Sequence, residues 1–355
     1  MNQTGSLQRG LLLALAAATA VLVFAAPQTC ARALQAGLAL CGGPLLVSLF
    51  PFLIVSALLM RCGGGALLGG AFCPAARLIG IRRRGAGSVL LLGFLGGFAP
   101  AAAASAEAVR TGELTPEEAA ALLPACVCSG PSFVVLTVGE TLLGSRAVGV
   151  RLFAAQLLAG YLTAALLYRL PRRRKAGPAR PVCALPPEPL RLDAVIAQAA
   201  VQYLKLCGFI LYFRLLAAGC GQFLPGSWAV LPAMLLEVCS GCDAASRTGL
   251  WASSLCCAAL SLQGASVLLQ VRTLCPPEVS LRPLLAGRLL HLPLSLALFW
   301  LALPETAAEP AVQQAAQSIQ RVPLRRVPLD CALLVFFACC RVVCAWNAAV
   351  HPETG

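Results

Sequence analysis

The length of its apolar runs limits this chain more than any other feature. Seven stretches, 11–26, 38–60, 148–170, 194–218, 250–274, 284–303 and 329–350, carry few charges and tile most of the sequence. An α-helix needs roughly 20 apolar residues to cross the hydrocarbon core of a bilayer, and most of these runs meet that length. In hydrocarbon no water is present to hydrogen-bond a loose backbone, so a spanning run must satisfy its N–H and C=O groups internally. The expected fold is therefore an all-α polytopic membrane protein. A soluble domain of the same length is excluded by composition. Such domains are about 25% charged, whereas this chain is 12% charged and 59% hydrophobic.

The net charge of +13 does not indicate nucleic acid. A nucleic-acid groove needs a basic face with interleaved aromatics. Here the basic residues punctuate apolar runs at 82–84, 172–175 and 325–326, as cytoplasmic loops of membrane proteins do. The 18 cysteines sit largely inside apolar runs, Cys207, Cys256, Cys257, Cys339 and Cys340 among them, where a thiol packs as a small polarizable group. Cys239 and Cys242 form a lone CxxC without a second pair, and only His291 and His351 exist, so neither the zinc-finger nor the histidine-zinc pattern is met. The chain also lacks an HExxH motif, a GxSxG elbow and paired intramembrane aspartates, so no enzyme is expected and no cofactor is implied.

Run 11–26 comes after Arg9 and is short, which leaves a signal peptide and a first helix both open. Charge sets the rest of the path. With the basic blocks at 82–84 and 172–175 both cytoplasmic, an odd number of crossings must separate residues 84 and 148. Two apolar segments lie there, so one crosses and the other enters and returns. The second half gives the same answer: a re-entrant 226–246 keeps Arg272, Arg282 and Arg288 inside and leaves Glu305 and Glu309 outside. Arg146 and Arg151 fall outside under this scheme and run against it. The expected plan has about eight transmembrane helices and two re-entrant hairpins in an inverted repeat. Residues 1–170 form the first repeat with a hairpin near 88–139, and 171–193 a basic, proline-rich cytoplasmic linker. Residues 194–305 form the second repeat with a hairpin near 226–246, and 306–355 a loop and last helix. Within the first hairpin region, Thr115-Pro116-Glu117-Glu118 reads as a capping box with proline at the first helical position, so helices at 98–111 and 116–128 should meet around a short turn.

At these residues the sequence resembles a known family. Gly97-Phe98-Ala99-Pro100, Glu107, Gly112, Thr115-Pro116-Glu117-Glu118-Ala119, Leu122-Leu123-Pro124 and Cys126 are similar to the nucleoside-recognition (Gate) domain, nearest the sporulation integral membrane proteins of YlbJ type. Pro131-Ser132-Phe133, Leu236-Glu237, Ser240-Gly241 and the series Ser261, Gly264, Ser266, Val267, Gln270, Val271 continue the match over roughly residues 45–295. The chain departs where the family carries a glycine and a lysine (Ala101, Ala103), paired asparagines (Val127, Cys128) and a histidine (Leu268). The resemblance implies a transporter related to concentrative nucleoside carriers, in a bacterial cell membrane, with the outer forespore membrane as one location. It implies movement of a dipicolinate-like planar dianion, or, with so many polar groups lost, a non-transporting scaffold needed for spore cortex formation.

Buried polar groups in a membrane are costly and so become site candidates. Hairpin helix N-termini present free N–H groups and a positive dipole end to an anion. Ser129, Gly130, Pro131 and Ser132 supply such a break in the first half, or equally a plain proline kink. In the second half Glu237, Ser240 and Gly241 sit on the hairpin. Gln263, Ser266 and Gln270 come next at i, i+3, i+7, one helical face turned to a cavity or to another helix. Glu237 can hold a coupling Na⁺ or proton, or pair with Arg247. Glu107 and Arg110 form a gating or solvated pair at the cytoplasmic end. Anionic lipid is a further partner for the linker.

Overall fold

The computed structural model describes residues 3–62, 67–169, 191–224 and 226–302. Most of the expected linker at 171–193, and the whole of the expected loop and helix at 306–355, lie outside the described residues. Among the described residues every regular element is helical. Five helical runs, Pro27–Leu59, Arg146–Arg169, Leu192–Gly221, Gly249–Leu274 and Arg282–Leu301, are long and apolar enough to cross a membrane. Leucines 13, 204 and 289 are more than two-thirds exposed on these helices and on the one before them. Water would not tolerate that surface, and lipid does. The chain is an integral membrane protein.

Helix α1 (Gln3–Ala25) leads into α2 (Pro27–Leu40), whose proline takes a first position where its missing N–H costs nothing. α1 lies within the fold: Leu22 fills the space beside Gly219, and Thr19 shares a 3.1 Å hydrogen bond with Tyr212. α2 and α3 (Leu46–Arg61) form one rod bent at a π-helical turn, where Pro44 removes a donor and Gly43 takes a non-helical conformation. A short helix, α4 (Cys73–Ile79), ends on left-handed Gly80 and brings the chain to the basic block.

The next two elements fold back on themselves. α5 (Arg84–Gly96) and α6 (Phe98–Arg110) pack side by side and turn at Gly97, where φ is +78° and ψ −157°. α6 is alanine-rich, so it forms readily and leaves room for close packing. The expected capping box is present. Thr115 Oγ1 accepts from the Glu118 N–H at 3.1 Å, the Glu118 carboxylate accepts from the Thr115 N–H at 2.9 Å, and α7 (Pro116–Cys126) starts there. α7 stops at Val127. After residues 127–131 an 11-residue π-helical segment (Ser132–Leu142) continues without packing back on α7. α8 (Arg146–Arg169) then returns, its Gly149 pressed against Gly139 of the π-helical segment. The region expected as one hairpin near 88–139 is thus two objects: a tight hairpin turned at Gly97 and an interrupted helix.

The same order recurs. After α9 (Leu192–Gly221), α10 (Val230–Leu236) and α11 (Val238–Ala245) pack side by side around Glu237. α12 (Ala252–Leu262) and α13 (Gly264–Leu274) form an interrupted helix, and α14 (Arg282–Leu301) completes the half. The apolar run 250–274, expected to be one helix, breaks at Gln263 and Gly264, both left-handed with φ of +63° and +72°. In that conformation only Gly264 is unstrained.

Basic side chains tie several helix ends to one another. The Arg169 guanidinium donates to the Arg77 carbonyl at 2.6 Å, Arg83 pairs with Glu118 at 3.0 Å, and Arg61 donates to Gln198 at 2.8 Å. These tie the end of α8 to α4, the residue before α5 to the first turn of α7, and the end of α3 to α9. Trp228, Trp251 and Trp300, all more than half exposed, lie at ends of their segments, as interfacial aromatics do.

Candidate functional site

The four backbone breaks meet. A Cβ on Gly97 would stand 2.7 Å from the Gly130 nitrogen, so the first hairpin tip rests directly on the gap between α7 and the π-helical segment. A Cβ on Gly264 would stand 2.8 Å from the Glu237 nitrogen, so the second tip rests on the gap between α12 and α13. The Gln263 amide donates to Ser129 Oγ at 3.4 Å and joins the two gaps. Only glycine permits such backbone-to-backbone approach, which explains why the contacts fall at these positions.

Breaking a helix exposes charged ends, and side chains occupy them. Both Glu237 oxygens accept from the start of α11, from the Cys239 N–H at 2.9 Å and the Ser240 N–H at 2.6 Å, which complements the positive end of that helix. Glu237 does not pair with Arg247. Arg247 donates to Asp243 at 2.9 Å, and Asp243 also accepts from Arg214 of α9 at 2.5 Å. At the opposite sign of dipole, the buried Arg288 of α14 donates to the Val127 carbonyl that ends α7 and, at 3.2 Å, to the Ser261 carbonyl near the end of α12.

Beside the breaks lies an open-mouthed cavity, about 650 Å³ when the open space at its mouth is included. Gly96–Ala99, Ser129, Gly130 and Phe133 form one side, with Val238, Cys239 and Gln270 from the second half. Leu49, Phe52 and Leu53 of α3 and Gln202 and Leu206 of α9 form the other. Among the described residues no charged side chain lines it. Apolar and aromatic walls with a few polar groups suit a small, flat, largely apolar molecule fixed by one or two hydrogen bonds.

The residues singled out from sequence divide accordingly. Ser129, Gly130 and Gln270 line the cavity. Pro131 and Ser132 begin the π-helical segment, with Ser132 buried. Ser240 lends its N–H to Glu237, and Gly241 packs against the α10 backbone at Met234, a close-approach position. Gln263 sits in the gap, off the helical face it was expected to share. Ser266 and Gln270 stay together, the Gln270 amide donating to Ser266 Oγ at 3.1 Å. Glu107 and Arg110 pair with each other in the last turn of α6, about half exposed and away from the cavity.

Sequence reasoning missed a buried polar cluster between the halves. Gln156 of α8 donates to the Cys257 carbonyl and to Ser261 Oγ, both at 3.0 Å, and Ser261 bonds Ser295 of α14. His291 Nε2 donates to the Gln156 carbonyl at 3.1 Å. Arg288 was counted among the cytoplasmic charges, but it is only 7% exposed. The signal was available: an arginine inside an apolar run is costly and demands a partner. Cys239 and Cys242 are both buried in α11, and among the described residues no group of three potential ligands is placed to hold a metal.

Fold and site together define a helical integral membrane protein with a cavity at the meeting point of its interrupted helices. No family model, curated protein or solved structure matches the chain.

Proposed function

We propose that this protein is a secondary transporter for a small planar solute, with about eight membrane crossings and two re-entrant hairpins arranged as an inverted repeat. One observation carries the reading: the backbone breaks of both halves meet, and Gly97, Ser129–Gly130 and the start of α11 beside Glu237 edge one cavity. Irregular backbone at membrane depth persists only where protein buries it or a cavity needs it, and paired interrupted helices at equivalent places in two halves mark substrate sites in carriers. Both ends of the first hairpin carry basic residues, Arg84 and Arg110, and both ends of the second are flanked by exposed tryptophans, Trp228 and Trp251. This supports opposite orientation of the halves and access alternating about a fixed site. The resemblance to Gate-domain and YlbJ-type sporulation proteins supports the same class, a bacterial cell membrane such as the outer forespore membrane, and a dipicolinate-like solute.

The lining favours an aromatic, uncharged solute over a dianion. The α11 N-terminus, which would attract an anion, already holds the Glu237 carboxylate, and no cation among the described residues lines the cavity. The test is uptake into proteoliposomes of labelled dipicolinate and of its neutral diamide. We expect the diamide to enter faster, with Gln270→Ala and Ser129→Ala slowing it several-fold. If correctly folded protein takes up neither compound, under any ion gradient, the transporter reading fails and a membrane scaffold takes its place.

A further inference from the structure

Two helix C-termini point at one buried guanidinium. α7 and α12 are each 11 residues long and end inside the protein, at Val127 and Leu262. A helix C-terminus carries roughly −0.5 elementary charge on its unpaired carbonyls, so two such ends amount to about one negative charge. Among the described residues no carboxylate pairs with Arg288, although it is buried to 7% exposure. Its Nη atoms are spent on one carbonyl from each helix, in both halves of the chain, and its Nε finds no partner among the described residues. Carbonyls at the ends of interrupted helices are what carriers use to coordinate a monovalent cation. Here that position is filled by a side chain.

We propose that Arg288 is a tethered cation: it neutralises the carbonyl ends of α7 and α12, positions the two gaps relative to each other, and removes any need for a bound alkali ion there. It is a positioning residue, set behind the cavity rather than in its lining. The fork of the guanidinium suits this task because two N–H groups diverge towards two carbonyls that belong to different halves. The proposal concerns what holds the breaks together, so it stands or falls independently of which solute is carried.

The experiment is thermal unfolding of the purified full chain in detergent, in sodium, potassium or choline chloride at equal ionic strength. Wild type should melt at one temperature in all three salts. Arg288→Gln keeps N–H donors but no charge, Arg288→Lys keeps the charge as a point, and Arg288→Ala removes both. We expect the order wild type, then lysine, then glutamine and alanine, with the neutral variants falling by roughly 5–10 °C. We further expect the neutral variants to regain stability saturably with sodium, potassium or guanidinium ion and not with choline or urea. A purely structural hydrogen-bonding role would give no such cation dependence. A wild type stabilised by sodium over choline would overturn the proposal. So would a glutamine variant equal to or better than lysine, including the case in which neither can be recovered folded. Folded neutral variants indifferent to all small cations would overturn it as well.

Discussion

Substituting Gly97 by alanine should unseat the first hairpin tip. The residue holds φ +78° and ψ −157°, a region reserved for glycine, and an L-residue there costs about 1–3 kcal/mol. The added Cβ would also lie 2.7 Å from the Gly130 nitrogen and 3.1 Å from the Cys128 carbonyl oxygen. Both neighbours are backbone and cannot rotate away, so relief requires moving the tip, at a further cost of about 1–3 kcal/mol. Together these give roughly 2–6 kcal/mol, and at about 2–4 °C per kcal/mol a fall in Tm of roughly 4–24 °C. Cys126 and Cys128 are buried beside the tip, so in a chain whose other cysteines are replaced a thiol-reactive dye reports its opening. Gly208→Ala is the control, because Gly208 is helical in α9 and a Cβ there meets nothing within 4 Å. It should be neutral or stabilising by about 0.5–1 kcal/mol. If Gly97→Ala melts like wild type, or Gly208→Ala loses as much, the close contact of tip and gap is wrong.

Other substitutions probe the remaining elements. Glu237→Ala strands the buried N–H groups of Cys239 and Ser240 and should cost about 1–3 kcal/mol for each, while Glu237→Gln, which keeps one acceptor, should lose about half as much in the same melting assay. Asp243→Asn leaves Arg214 without its counter-charge where both side chains are nearly buried, 14% and 8% exposed, and should cost roughly 3 kcal/mol. Arg247→Ala removes a partner that is 73% exposed and should cost less than about 1 kcal/mol; a larger loss there than at Asp243 would refute that ranking of the two pairs. For the membrane plan, Glu113→Cys and Leu250→Cys in a cysteine-depleted background should react with an impermeant maleimide from opposite sides of sealed vesicles. Labelling from one side alone would refute the opposed hairpins.

Solvent and local backbone chemistry account for everything that was legible in the sequence. Apolar runs near bilayer length can only become helices, so the class could be read from composition. The Thr115–Glu118 capping box was legible because its partners are three residues apart. Tertiary structure decided the rest. Gly93, Gly96, Gly97 and Pro100 announced a break without saying which glycine would turn, and Gly97 was selected because Gly130 comes against it from elsewhere in the chain. Gln263 looked helical by spacing and became a gap because Gly264 must pass the Glu237 backbone. Arg288 read as one more cytoplasmic charge until two helix ends, 134 positions apart at Val127 and Ser261, were seen to share it. A charge buried at that depth is intelligible only through its partners, and those partners lie in different halves of the chain.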